Sequence, residues 1–318
     1  MQEVTFLKKN SQTWKKVESM LETGISFSPD ELTDLYIRLT DDLAYSKTFF
    51  PKSKTTLYLN TLTTRIHQKI YGNKKENTAR FKHFWMHELP AVVYNHRQKL
   101  LASFLIFTIA LIIGVISAAG DKSFVRIILG DSYVNMTLEN ISKNDPMAVY
   151  KKMNEIDMFF GITFNNIRVS FFAFISGLLL SFGTGLVLFQ NGIMLGSFQY
   201  FFFEQGYLTQ SLLTIWIHGT LEISAIIIAG GAGLVLGNSI LFPGTFSRRD
   251  SFAQGARDGM KIVIGLIPVF IMAGFLEGFV TRYTGMPLII SLAIIGGSLG
   301  FIIFYFIIYP RKQGRRPI

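Results

Sequence analysis

The stretch that decides the fold is 212-LLTIWIHGTLEISAIIIAGGAGLVLG-237, which is apolar throughout except for His218 and Glu222. About 20 apolar residues cross a hydrocarbon core roughly 30 Å thick, so this stretch predicts a membrane-spanning helix. Its two ionisable residues lie one helical turn apart. Because such groups cost roughly 2.5–3.5 kcal/mol each on translocon scales unless they find partners, they are the first candidates for a functional site.

Further apolar stretches surround this one. Clear spans are predicted at 100–119, 212–236, 262–281 and 287–309. The apolar run 169–203 is longer, and as one straight helix it would measure about 50 Å. We therefore predict two elements joined at a helix break at Asn191 and Gly192, the second being short or re-entrant. The expected fold class is an all-α polytopic transmembrane bundle with five clear spans plus this short element.

Composition supports a membrane protein. Hydrophobic residues make up 49% of the 318 residues and charged residues only 16%, against roughly 25% charged in soluble domains. The sequence contains no cysteine, which excludes disulfides, thiolate metal sites and cysteine nucleophiles. Residues 1–24 lack the pattern of a signal peptide. The net charge of +10 is interpreted as the basic bias of cytoplasmic loops, so the expected partner is the lipid bilayer and not nucleic acid.

Three regions are expected along the chain. Residues 1–99 predict a helical cytoplasmic domain with an interfacial helix near its end, broken near Pro90. Residues 100–309 form the transmembrane domain, which includes an extracytoplasmic segment at 120–168. Residues 310–318 form a basic cytoplasmic tail.

The distribution of basic residues predicts the orientation. About half of the 31 Lys and Arg residues lie before residue 100, and others cluster in the loop 238–261 and in the tail. Basic loops face the cytoplasm. We therefore expect a multi-pass protein of the bacterial cytoplasmic membrane with both termini inside, which requires an even number of crossings.

That orientation brings several polar residues to one depth in the outer half of the membrane. His218, Glu222 and Glu277 would lie within the bundle, and they share helix faces with small residues, which permit close helix approach. The remaining members of the expected cluster lie at the outer ends of neighbouring elements: Asn165, Asn166, Arg168, Glu204 and Arg282.

Three interpretations of this cluster remain open. It is a hydrogen-bond network that fixes helix packing, a proton relay or substrate site of a transporter, or a metal site. The pair His218 and Glu222 supplies only two metal ligands, whereas zinc needs at least three, so we expect no metal. The sequence also lacks phosphate-binding loops, nucleophile elbows and His-Glu-x-x-His motifs, so we expect no enzyme activity and no cofactor.

Several of these segments together resemble the stage II sporulation protein M family of bacterial membrane proteins. The resemblance lies in NNIRVSFFAFISGLLLSFGTGLVLFQNGIMLG at 165–196, HGTLEISAIIIAGGAGLVLG at 218–237, PGTFSRRDSF at 243–252 and FLEGFVT at 275–281. LTDLYIRLTDDLAYSKTFFP and LNTLTTRIHQKIYG, both before residue 73, resemble the cytoplasmic part of the longer members.

The resemblance implies a role but does not specify it. Sporulation members hold together an enzyme complex that degrades peptidoglycan, whereas the longer members are not tied to sporulation, and a permease-like role has been considered for them. We therefore expect a non-enzymatic scaffold or component of a complex in envelope assembly or remodelling. The partner would be a second copy, forming a homodimer, or another envelope membrane protein. The alternative is a transporter of an envelope amphiphile or small anion that uses His218, Glu222 and Glu277.

Overall fold

The computed structural model describes residues 3–22, 29–71, 78–151, 154–283 and 285–313. Within these residues it is helical, with no strand, so the expected all-α class is confirmed. The chain divides into two compact units, residues 1–80 and 81–318. The boundary therefore lies earlier than the expected end of the first domain at residue 99.

The first unit consists of helices α1 (Glu3–Glu22), α2 (Pro29–Phe49) and α3 (Lys54–Tyr71). Helical spacing of apolar residues buries one face of each helix, and Trp14, Leu39 and Ile66 are almost fully buried together. The Trp14 indole Nε1 donates a hydrogen bond to Asp42 Oδ2 at 2.7 Å. Burial raises the pKa of the Asp42 carboxyl group, and this hydrogen bond opposes the rise.

The second unit contains, among its described residues, six helices that are long and apolar enough to cross a membrane. These spans are Arg97–Gly120, Glu155–Leu178, Phe182–Glu204, Leu208–Leu241, Arg248–Val280 and Leu288–Lys312. Helix α4 (Thr78–His83) crosses the boundary at residue 80. The helices that follow it in the second unit are α5 (Leu89–Asn95), α6 (Arg97–Gly120), α7 (Lys122–Leu129), α8 (Asp131–Ser142), α9 (Glu155–Ile175), α10 (Phe182–Glu204), α11 (Leu208–Leu241), α12 (Arg248–Phe275), α13 (Leu288–Ile303) and α14 (Tyr309–Gln313). Short π-helical turns continue α4, α12 and α13: Phe84–Glu88, Leu276–Val280 and Phe304–Ile308.

Helix α11 is the centre of the bundle. It is 34 residues long, and it contacts α6, α9, α10, α12 and α13. It is also the most buried of the six spans, since its small residues allow neighbouring backbones to approach. A Cβ atom at Gly177, at the end of the α9 span, would collide with the carbonyl group of Gly233 on α11.

The predicted helix break at Asn191 and Gly192 is wrong. Both residues lie inside α10, which runs unbroken for 23 residues and is not a short or re-entrant element. The Asn191 Nδ2 atom donates to the Val187 carbonyl one turn earlier at 2.8 Å, so its polar group is satisfied within the helix. The chain instead turns before α10, where Leu180 and Ser181 adopt positive φ angles of 54° and 69°.

The segment expected outside the membrane, 120–168, includes the first part of a membrane-length helix. The beginning of the segment forms the short helices α7 and α8, but the second span already begins at Glu155. Asn154 caps this helix, since its Oδ1 accepts a hydrogen bond from the Ile156 amide at 2.9 Å. Residues 155–168 therefore belong to a membrane-length helix and not to the connection before it.

The segment that precedes the first span packs against the bundle instead of ending an N-terminal domain. Leu89, Val92 and Val93 of α5 are buried in the same core as α11 and α12. Pro90 lies in the first turn of α5, where its missing N–H is tolerated, and does not break that helix. The Tyr305 hydroxyl group, on the last span, donates to the Trp85 carbonyl at 2.5 Å.

Polar contacts gather at one end of the bundle. His96 Nε2 lies 2.9 Å from Asp258 Oδ2, Lys99 Nζ donates to Asn238 Oδ1 at 2.5 Å, and Lys261 Nζ pairs with Glu88 Oε2 at 2.7 Å. The Tyr309 hydroxyl group, near the end of the last span, donates to the Met86 carbonyl at 2.9 Å, so the last span ends on the side where the first begins. Residues 314–318 of the expected basic tail lie outside the described residues.

Candidate polar site within the membrane bundle

His218 is the buried centre of a polar cluster inside the bundle. Its side chain is 6% exposed, and its Nε2 atom lies 3.7 Å from Glu277 Oε2. Its other ring nitrogen, Nδ1, lies 2.9 Å from the Thr281 hydroxyl group. One ligand atom from each of His218, Glu222 and Glu277 lies within 4.8 Å of the other two. The fold therefore joins an imidazole and two carboxyl groups from two different spans.

Local backbone structure positions these groups. His218 and Glu222 are one turn apart on α11, so they face the same side. Glu277 lies in the π-helical turn Leu276–Val280 at the end of the fifth span, where the Thr281 amide bonds to the Leu276 carbonyl at 2.8 Å. Such turns rotate the residues that follow them and occur frequently at functional sites.

Asn166 joins the cluster from α9. Its side chain is buried and adjoins the Glu222 carboxyl group. Its Nδ2 atom forms no well-aligned hydrogen bond with the residues that the structure describes. Asn166 is therefore a polar side chain that faces the site without a satisfied donor.

Three of the other predicted members lie away from the cluster. Asn165 and Arg168 are exposed on the opposite face of α9, because a rotation of about 100° per residue turns them away from Asn166. Glu204 pairs with Lys122 at 3.0 Å, and Arg282 pairs with Glu155 at 2.7 Å. The prediction that all eight residues converge is therefore wrong for Asn165, Arg168 and Glu204, whereas Arg282 directly follows Thr281, which contacts His218.

A cavity of about 390 Å³ reaches the cluster through His218 and Glu222. Helices α6, α7, α8, α10 and α11 enclose it, mostly with apolar side chains. Asn191, the residue expected at a helix break, is one of its few polar lining residues, together with Tyr133 from α8. Burial raises the pKa of the Tyr133 phenol.

A sequence model of the stage II sporulation protein M family matches residues 103–282, more than half of the chain. The chain belongs to the stage II sporulation protein M family. The match includes the first five spans in whole or in part and every residue of the polar cluster. A second model, described as a domain of unknown function (DUF8413), matches residues 4–72. No curated protein and no solved structure matches the chain.

Two residues at the site, Thr281 and Tyr133, were not predicted from the sequence. Thr281 contacts the imidazole, and Tyr133 lines the cavity. Thr281 lies four residues after Glu277, and that spacing was an available signal. Tyr133 lies in a connection of mixed character, where the sequence carries no periodic signal that would place it over the membrane bundle.

Proposed function

We propose that this multi-pass membrane protein is a non-enzymatic component that holds together a protein assembly in the bacterial cell envelope. In this proposal it lies in the cytoplasmic membrane with both termini in the cytoplasm. The observation that carries the proposal is an exposed arginine in the middle of a membrane-length helix, Arg168 of α9.

The depth of Arg168 follows from the contacts of α9 with α11. Asn166 adjoins Glu222 and Gly177 abuts Gly233, so the two helices run side by side in the same direction. Arg168 is then level with the middle of α11, roughly 25 Å from either end at 1.5 Å per residue. No ion pair links Arg168 to any part of the chain that the structure describes.

The side chains around Arg168 share its exposure. We define the Arg168 face as five exposed residues of α9: Phe164, Asn165, Arg168, Phe172 and Ile175. A charge that faces lipid at this depth costs several kcal/mol, and intramembrane charges normally face protein or water. The Arg168 face combines two polar side chains with two phenylalanines, and we infer that another membrane helix covers it. Its partner would be a second copy of the chain or another envelope membrane protein.

The proposal is tested by replacing Arg168. We expect Arg168→Leu to reduce the size of the complex extracted from membranes in mild detergent, because the replacement removes the charge that the partner satisfies. Arg168→Lys keeps the charge and is the matched control, so it should retain most of the complex. If lipid covers this face instead, Arg168→Leu will leave the size of the complex unchanged and will stabilise the protein.

A second candidate function is transport, which the cavity beside His218 and Glu222 favours. Its mostly apolar lining, together with two nearby carboxyl groups, suits the chain of an envelope amphiphile better than a small anion. Since the sequence contains no cysteine, Ile223→Cys in the cavity lining can be labelled with a thiol reagent. Protection of this cysteine by an added amphiphile supports transport; unchanged labelling speaks against it.

A further inference from the structure

The polar cluster has the donor groups of a metal site. We propose that His218, Glu222 and Glu277 bind one divalent transition-metal ion, for which Zn²⁺ is the best chemical match. This inference goes beyond the proposed assembly role and does not depend on it.

The number of donor groups is the first argument. Zinc is bound by imidazole nitrogen and carboxylate oxygen, and catalytic-type sites use three protein ligands with one position open. His218 and Glu222 supply two ligands from α11, and Glu277 supplies the third from the end of the fifth span. The expectation of no metal depended on a count of two ligands, and the fold adds the third.

The distances are the second argument. Ligand atoms around a tetrahedral zinc ion lie about 3.4 Å apart, because each is about 2.1 Å from the metal. The three candidate atoms lie within 4.8 Å of one another. Side-chain rotations that move each carboxylate oxygen by about 1 Å would bring the atoms to that spacing, and the long Glu side chains allow such rotations.

The orientation of the imidazole is the third argument. Metal-binding histidines typically use one ring nitrogen for the metal and hydrogen-bond the other to a nearby protein group. His218 has this arrangement, since Nδ1 lies 2.9 Å from the Thr281 hydroxyl group and Nε2 is directed toward Glu277. Thr281 would then be the residue that fixes the ring.

An independent observation comes from Asn166, which is 4% exposed and adjoins Glu222. Its Nδ2 atom has no well-aligned partner among the described residues, and the oxygen and nitrogen of an amide exchange places on a half-turn of the side chain. A bound cation beside Glu222 would attract the amide oxygen. Two of the three proposed ligands, His218 and Glu222, also line the cavity described above.

The negative charge of the cluster also favours a bound cation. The carboxyl groups of Glu222 and Glu277 lie inside the membrane bundle on two different spans, where an uncompensated negative charge is costly. Lys122, a cation at this end of the bundle, forms an ion pair with Glu204. A divalent ion would compensate both carboxylates of the cluster.

The test measures metal bound to the full-length protein purified in detergent. The protein is stripped with EDTA, equilibrated with Zn²⁺, passed through a desalting column and measured by elemental analysis. We expect close to one zinc per chain, and we expect Co²⁺ in its place to give the intense visible absorption of a four-coordinate site. Glu277→Gln should lose most of the zinc, whereas Glu277→His, which retains a ligand atom, should keep it.

Matched controls separate this site from others. Glu204→Gln removes a carboxylate that lies outside the cluster and should leave the zinc content unchanged. The triple variant His218→Gln, Glu222→Gln, Glu277→Gln should bind none at the site. Native protein without stoichiometric zinc overturns the proposal, and so does a triple variant with as much zinc as the native protein. Since the first of these results needs no variant, a folding defect cannot mask it.

Discussion

At the scale of single residues, the Thr281 hydroxyl group governs the position of a buried imidazole. The His218 ring nitrogen Nδ1 lies 2.9 Å from that hydroxyl group, and Nε2 lies 3.7 Å from Glu277. Loss of the hydroxyl group would leave a buried polar atom without this partner. The energy of the contact is therefore set by the cost of the unsatisfied group as much as by the bond itself.

The first prediction concerns this contact. Thr281→Val keeps the shape of the side chain and removes the hydroxyl group, and it should lower the free energy of unfolding by about 0.5–1.5 kcal/mol, the range of interhelical hydrogen bonds in membranes. Chemical unfolding in detergent measures the change. Thr281→Ser retains the hydroxyl group and is the control; equal losses in both variants would contradict the role of the hydrogen bond.

The second prediction concerns Glu222 beside Asn166. In EDTA-treated protein, Glu222→Leu should lower the free energy of unfolding by about 1–3 kcal/mol, because it places an apolar side chain against the buried polar groups of Asn166, His218 and Glu277. Glu222→Gln keeps the size and a hydrogen-bonding group, so its loss should be less than half as large. If both variants fold normally but lose the protein's cellular function to the same extent, the carboxyl group handles protons.

Sequence reasoning predicted the depth of the cluster but not which face of each helix carries it. Depth follows from span boundaries and charge, and these placed His218, Glu222 and Glu277 at one level. The direction of a side chain depends on helix phase, and Asn165 and Arg168 each differ from Asn166 in phase by about 100° or more. Only Asn166 faces the cluster, because α9 turns the other two outward.

At the scale of helices, the packing of α10 against α6 explains why residues 191–192 do not form a break. A Cβ atom at Gly192 would lie 2.6 Å from the Phe107 carbonyl oxygen. This glycine therefore serves close helix contact and not a turn. An Asn-Gly pair is a turn signal in soluble proteins, but within a membrane the backbone must satisfy its own hydrogen bonds, and a continuous helix does so.

The third prediction compares two glycines of α10. Gly192→Ala should destabilise the protein by about 1–3 kcal/mol, because the added methyl group overpacks the contact with α6. A methyl group added at Gly185 on the same helix would meet no atom of a neighbouring element within 4 Å. Gly185→Ala should therefore be neutral or stabilising by up to about 1 kcal/mol. Unfolding in detergent compares the two variants, and a larger loss at Gly185 would refute this packing.

At the scale of the whole molecule, ion pairs tie the segment before the first span to the bundle. Glu88 accepts a hydrogen bond from the Lys261 ammonium group at 2.7 Å. This hydrogen bond lowers the pKa of the Glu88 carboxyl group below its usual value of 4.5. Since the folded pKa is below the unfolded one, the contribution to stability is present above the unfolded pKa and is lost as pH falls through the folded value.

The fourth prediction follows from that sign. Glu88→Gln should lower the melting temperature at pH 7, and the difference from the native protein should shrink as the pH falls below 4.5, the usual pKa of the carboxyl group, and through the lower folded value. Melting curves across pH measure the difference. Glu139→Gln is the control, because its pair with Lys143 lies on the surface with both side chains exposed. A difference for Glu88→Gln that grows in acid would reverse the assigned sign.

The number of spans could be predicted from the sequence, and so could the outline of the first unit. The boundary near residue 80 could not, because Leu89, Val92 and Val93 have the same amphipathic pattern whether they face lipid headgroups or protein. The start of the second span was also missed, since Glu155 and Asp157 lower the hydropathy of a turn that is nevertheless helical. Only tertiary packing distinguishes these cases.

The central claim is that another membrane protein, or a second copy of this chain, covers the Arg168 face. A photo-crosslinking residue placed at Phe172, which is 62% exposed, tests it in native membranes. The comparison site is Ile289 on α13, which is 80% exposed. We predict protein crosslinks from position 172 and chiefly lipid adducts from position 289. Lipid adducts alone from both positions would contradict the claim.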